Sequence, residues 1–330
     1  MKLRKVFVAL LTLVMVFGLA ACNTSGEGEE TSSGSTSSGE KFPTGQITIV
    51  VPWSAGGASD TMARLVAEPL NTILGVPVVV TNQTGASGTV GTQAVATAKP
   101  DGYTLLAHTI EFCQAPAFGL TDYTQDDFDW IARCTLMDFA FVTRPNREWT
   151  NLDEFIAYAK EHPGELKCGT AGPQSSHSVC LSMLSEATGC EFMEVPYDGG
   201  SSALAALLGD NVDFVITALG ETTQYVNDGD MVLYALMGSE RNPLRPDTPT
   251  FDELGYENMV LTNHVVFGAP KGVPEETLEI LRAAFKEALE SDELYDKFWD
   301  RGQVLSYLDG PSTYEYLKET TDMFMEQLQE

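Results

Sequence analysis

Positive charge is what this 330-residue chain has least of: 19 lysines and arginines face 47 aspartates and glutamates, a formal charge of −28 with four neutral histidines. A surface that negative repels nucleic acid and anionic lipid, and both are excluded as partners. Signatures of turnover are missing too. There is no GxSxG elbow and no HExxH, and the four histidines are too scattered to form a metal cluster, so neither metal nor cofactor is expected. The glycines 85, 88 and 91 follow a strand-like run, but the spacing is not GxGxxG and the acid required about 20 residues later is absent, which argues against a dinucleotide. No CxxC pair occurs among the six cysteines. No apolar run reaches the ~20 residues of a membrane span.

The longest apolar run, 6–19, begins after Lys2, Arg4 and Lys5 and leads into Ala20, Ala21 and Cys22. A basic start, an apolar middle and small residues read as a secretion signal over 1–22. The tetrapeptide LAAC resembles the lipobox of bacterial lipoproteins, in which cleavage leaves the cysteine, here Cys22, as a lipid-bearing N-terminus; an ordinary signal with Cys22 incidental is the alternative. Residues 23–41 contain no apolar side chain and read as a disordered tether, with a root-mean-square reach of roughly 24 Å. Export permits disulfides, and Cys113 with Cys134 is one pairing to test; Cys168, Cys180 and Cys190 complete the set, and a buried free thiol is an equal expectation for each.

What is there in abundance is one local pattern. Residues 47–65, ITIVVPWSAGGASDTMARL, run from a charge-free strand through a Gly-Gly turn into a helix, with Ser59 or Asp60 expected as N-cap. Segments 76–91, 166–178 and 191–202 repeat it. In an open α/β sheet such turns lie at the carboxyl edge, where the free N–H groups of the helix start favour an anion. Four such edges predict one shared cleft.

Along the chain, strands at 47–51, 76–81 and 103–108 alternate with helices at 60–74 and 90–98, a βαβαβ unit that favours a parallel sheet; Pro69 should kink or shorten its helix. The stretch 111–128 reads as irregular, and 129–145 as mostly strand-like but long for one strand, the connection out of the first domain. A second alternating unit follows to 237, and the helical tail, with a capping box at Ser312 and Glu315, returns to the first. The expected architecture is two doubly wound α/β domains with a hinge and cleft: a discontinuous domain of 43–143 and 258–330, and a second of 144–257.

The motifs VPWSAGGASD, VVVTNQTGASGTVG, AKPDGYTLL, GTAGPQSSHS, VPYDGG, RPDTPTFDELG and FGAPKGVP, in this order and spacing, resemble the extracytoplasmic solute-binding proteins of tripartite tricarboxylate transporters, the Bug or TctC family. The resemblance covers nearly the whole folded part. It implies a type II periplasmic-binding-protein fold closing on a small di- or tricarboxylate, and delivery to a permease of one large and one small subunit. It also implies that Trp53, Ser54, Ala55, Gly56, Gly57, Ala58, Ser59 and Asp60 hold one carboxylate, and that Thr170, Ser175, Ser176 and His177 hold another from the opposite lobe. Asn82, His108, Thr109, Tyr197, Gly199 and Thr217 join the candidate site, with Glu111 and His264 among side chains at the back of the cleft. Asp198 and the run 108–112 depart from the family's pattern; the added acids count against citrate and point to a less charged ligand or one bearing an amine. Protonated His177 would supply local positive charge, so affinity is expected to rise as pH falls through the imidazole range. Two other readings are a lipid-anchored hydrolase built on Ser87 with His108 or His177, and a sensor that binds a ligand without transport.

Overall fold

Ile47–Val51 forms strand β1 because its apolar side chains are buried on both faces between neighbouring strands. In the computed structural model, which describes residues 41–327, helix α1 (Ala58–Leu74) follows, ended by Gly75 in the left-handed conformation. Pro69 lies inside α1 without shortening it. Next come β2 (Val78–Asn82), α2 (Thr89–Ala96) and β3 (Thr104–His108), with β2 and β3 both parallel to β1 as the alternation predicted.

The stretch expected to be irregular contains helix α3 (Glu111–Ala117). Its anchor is Phe112, whose fully buried ring lies 4.9 Å from Trp130, 5.4 Å from Phe128 and 5.4 Å from Tyr123. Strand β4 (Phe128–Thr143) is a single run of 16 residues. Then follow α4 (Leu152–Glu161), β5 (Lys167–Thr170), α5 (Ser176–Thr188), β6 (Met193–Pro196), α6 (Gly200–Leu208), β7 (Phe214–Ala218), α7 (Leu219–Asp228) and β8 (Val232–Leu236). The tail is β9 (Thr262–Pro270), α8 (Glu275–Leu289), α9 (Asp292–Trp299), β10 (Val304–Asp309) and α10 (Gly310–Gln327). Sequence reading missed β10, which pairs antiparallel with β4 through a register shift. At the start of α10 the Asp309 carboxylate, not Ser312, accepts from the first turn, at 2.8 Å from Ser312 N.

One ladder, β2-β1-β3-β9-β4-β7-β5-β6, connects these strands, with β8 and β10 also on β4. Strand β4 changes partners midway. Phe128–Asp138 pairs with β9, and Phe139–Thr143 pairs with β7. The sheet therefore has two halves that share one strand. Helices α1 and α8 pack over the first half around Leu70, Leu281 and Phe285, while Leu204, Leu207 and Val215 fill a smaller core in the second. Each such side chain contributes about 1.5–3 kcal/mol on full burial.

Cys113 and Cys134 are not bonded to each other. All five cysteines of the described region are free and buried, and Cys113 Sγ instead donates to the Leu317 carbonyl at 3.6 Å. Among the described residues no helix is long and apolar enough to cross a membrane. The signal 1–22 with Cys22, and the tether apart from Lys41, lie outside the described residues.

Candidate ligand-binding site

The turn before α1 is built differently from expectation. Gly57 is the N-cap, with no side-chain cap, and Asp60 stands within the first turn as the third residue of the helix. The buried Asp60 carboxylate accepts from Gly56 N at 2.8 Å, pairs with Arg64 at 2.8 Å and accepts from Asn82 Nδ2 at 2.9 Å. Asn82 also donates to the Trp53 carbonyl at 2.9 Å. Asp60 and Asn82 therefore brace the loop from behind. Burial alone would raise the Asp60 carboxyl, but hydrogen bonds from Arg64, Gly56 and Asn82 outweigh it and hold the group below its ordinary range. A depressed folded pKa means its stabilisation is complete above the unfolded value of about 3.9 and is lost as pH falls through the folded one. Acid titration of Asp60→Asn by circular dichroism should accordingly show lower stability at neutral pH and a shallower loss below about pH 4.

Two carboxylates cross between the sheet halves. Glu111, at the start of α3 in the first half, accepts from Ser176 N at 3.1 Å and from the Ser176 hydroxyl, both at the start of α5 in the second. Thr109 donates to its other oxygen and itself accepts from Trp53 Nε1 at 3.0 Å. Glu221, at the start of α7 in the second half, accepts from Ala58 N in α1 of the first, and from the Thr217 hydroxyl. Each half thus places an acid on the other's helix N-terminus, where unpaired N–H groups and the helix dipole favour it. Burial first, and then repulsion from Glu111, raise the Glu221 carboxyl above its usual range despite these hydrogen bonds.

Between the two acids lies a cavity of about 30 Å³ walled by Trp53, Gly57, Ala58, Ser59, Thr109, Glu111, Ala171, His177, Gly200, Ala218, Glu221 and Asn263. A neighbouring groove of about 680 Å³ shares Trp53 and Ala171 with it and adds Ser87, Gln174, Tyr197, Asp198 and Ser202. Ser54 and Ala55 meet Ser201 across the halves, at 2.9 Å between hydroxyls and 3.1 Å to the Ala55 carbonyl. Gly199 closes on Ser54, leaving no room for a Cβ.

Several expected residues face elsewhere. His108 is buried against Trp53 and Phe112, with Nδ1 accepting from Thr109 N at 2.8 Å. Thr170 donates to Glu194 at 2.8 Å. Ser175 caps α5, accepting from Ser178 N at 3.3 Å. His264 contacts the Tyr316 hydroxyl at 3.0 Å. Thr217 reaches the cavity only through Glu221 and His177. Ser87 Oγ donates to the Pro173 carbonyl, bridging the halves rather than approaching a base. His177 does line the cavity, but burial pushes its ring down to about 4. The imidazole is neutral through the range where affinity was expected to change, so any such response moves to about pH 4.

The profile of the family described as "Tripartite tricarboxylate transporter family receptor" matches residues 62–323. The chain belongs to that family. A relative of this receptor from Agrobacterium vitis, described as a UPF0065 protein in the TAR-I ttuE-ttuC' intergenic region, is 33% identical over 80% of this chain and 77% of its own length. The structure of periplasmic binding protein BugD is 30% identical with a TM-score of 0.83, covering 87% of the receptor and 98% of BugD. MatC from Rhodopseudomonas palustris, with bound malate, is 27% identical with a TM-score of 0.81, covering 87% of the receptor and 100% of MatC. The fold is that of the periplasmic binding proteins, and the protein is an extracytoplasmic solute-binding receptor rather than an enzyme.

Sequence reading of the receptor missed Ala171, Gly200, Ala218, Glu221 and Asn263. For Glu221 a signal existed. Strand 212–218 runs straight into Leu219, Gly220 and Glu221, a fifth copy of the strand-to-helix pattern used elsewhere.

Proposed function

We propose that this receptor captures a small organic acid between its two sheet halves and delivers it to the large and small membrane subunits of a tripartite tricarboxylate-type transporter. The observation that carries this reading is the convergence of α1 and α5, from opposite halves, on one small cavity beside a groove large enough for a ligand. Their first-turn donors already hold carboxylate oxygens, those of Glu221 and Glu111. The malate in MatC agrees with this chemistry. In this reading 43–143 with 258–330, and 144–257, are two lobes turning about β4 where it changes partners, and the loop 53–60 and residues 175–177 form facing walls. Lipid on Cys22 would hold the receptor at the membrane.

Thermal melting against a panel of organic acids tests it. The bound acid should stabilise the protein by about 2.7 kcal/mol at a hundredfold excess over its dissociation constant. Identical melting with every acid would refute capture, and membrane uptake that is independent of this protein would refute delivery.

A further inference from the structure

The two acids that cross between the halves are built alike. Each is fixed in its own half by a threonine: Thr109 donates to Glu111 Oε2, and Thr217 donates to Glu221 Oε2. Each then extends its other oxygen to the opposite half. Glu111 Oε1 accepts from Ser176 N at 3.1 Å and from the Ser176 hydroxyl, and Glu221 Oε1 accepts from Ala58 N. Ser176 and Ala58 are the first residues of α5 and α1, so both amides belong to the set that no carbonyl of their own helix satisfies.

Amides in that position are the ones a ligand's carboxylate would use, and a carboxylate of the protein already holds each of them. A hydrogen bond to an ionised acceptor is about twice as strong as one between neutral groups, so neither amide is released without a replacement of like charge. The rest of the seam is likewise made by the chain's own groups. Ser54 meets Ser201, Ser87 Oγ donates to the Pro173 carbonyl, and Gly199 lies against Ser54. Glu221 also has room to withdraw. Besides the cavity it lines a separate groove of about 530 Å³, with Thr61, Gln224 and the exposed Arg301 on its walls.

We propose that Glu111 and Glu221 are built-in competitors of the ligand: their carboxylates stand in for its own, hold the two halves closed without it, and must be displaced before an acid reaches the helix starts. The observed affinity is then the intrinsic one reduced by the fraction of receptor whose helix starts are free. What the acids compete with rests on the organic-acid reading above; closure without ligand rests on the cross-half bonds alone.

Two measurements on the full chain test this: hydrogen exchange at the amides of Ala58 and Ser176, and calorimetric titration with linear dicarboxylates of three to six carbons. In the ligand-free, unsubstituted protein both amides should exchange slowly, and dicarboxylate should slow them little further. Glu111→Gln or Glu221→Gln replaces a carboxylate by a more weakly accepting amide. Each should speed exchange at both helix starts, leave Ile49 in buried β1 unchanged, and tighten dicarboxylate binding by roughly tenfold or more. Unchanged or weaker binding in these variants would overturn the competitor role. Fast exchange in the unsubstituted protein, slowed only by dicarboxylate, would overturn closure and leave the organic-acid reading standing. Slow exchange released in both variants, with no dicarboxylate bound by any form, would keep the closure and end the organic-acid reading. The exchange comparison on the unsubstituted protein needs no variant, so it decides closure even if a variant does not fold.

Discussion

Gly200→Ala is expected to lower ligand affinity by roughly 10–100-fold while leaving the fold intact. Gly200 opens α6 where the second half meets the cavity, and a Cβ there would lie 3.0 Å from both Glu221 Oε1 and His177 Cε1, with Glu221 Oε2 nearer still. Overpacking of this kind costs about 1–3 kcal/mol. Alanine is the better helix former by about 1 kcal/mol, which offsets part of that cost in stability but none of it in the shape of the cavity. Calorimetry on the variant beside unchanged far-ultraviolet circular dichroism would show the effect. Undiminished affinity would mean that α6 does not border the ligand.

The largest effect on stability is expected from Phe141→Ala, about 3–5 kcal/mol. Phe141 lies on the second stretch of β4 and is fully buried, with ring centroids 4.9 Å from Phe155, 5.3 Å from Phe214 and 6.2 Å from both Tyr234 and Phe251. Four aromatic neighbours cannot collapse into one vacated ring position without disturbing β7 and the segment after β8. Urea unfolding should register the loss as a lower midpoint at an unchanged slope. Val79→Ala, on an exposed face of β2, should move the midpoint little. Equal shifts in the two variants would show that this cluster is not a principal source of stability.

Much of this architecture is legible in the sequence, for local reasons. Short apolar runs rich in β-branched residues, such as 47–51 and 214–218, read as interior strands, and Gly75 and Gly189 end α1 and α5 in the left-handed conformation where the sequence placed their stops. Helix α3 was illegible because it is only seven residues long with Pro116 inside it, too short to show a helical period, and the aromatic nest around Phe112 together with contact to α10 holds it. Strand β10, half-buried along most of its length, lacks the alternation that marks a strand. At the site, the family motifs lead to turns that border the cavity and often to a side chain that faces away from it. Polar residues were chosen at 170, 217 and 264, whereas the cavity wall is made by Ala171, Ala218 and Asn263 beside them; of the chosen pair His108 and Thr109, Thr109 is the one on the wall. Neighbours along a strand point to opposite faces, and a polar side chain finds its partners on whichever face packing leaves it.

The unlinked, buried thiols have a consequence for where the folded molecule can persist. Burial pushes the Cys113 thiol up to about 12 and raises Cys134, Cys168 and Cys180 as well, so almost none of their sulfur is in the nucleophilic, oxidisable form. Once the receptor has folded, these four thiols are protonated and out of reach, so they neither cross-link nor exchange with disulfides around them. At these positions the folded shape is indifferent to whether the surroundings are aerobic or reducing.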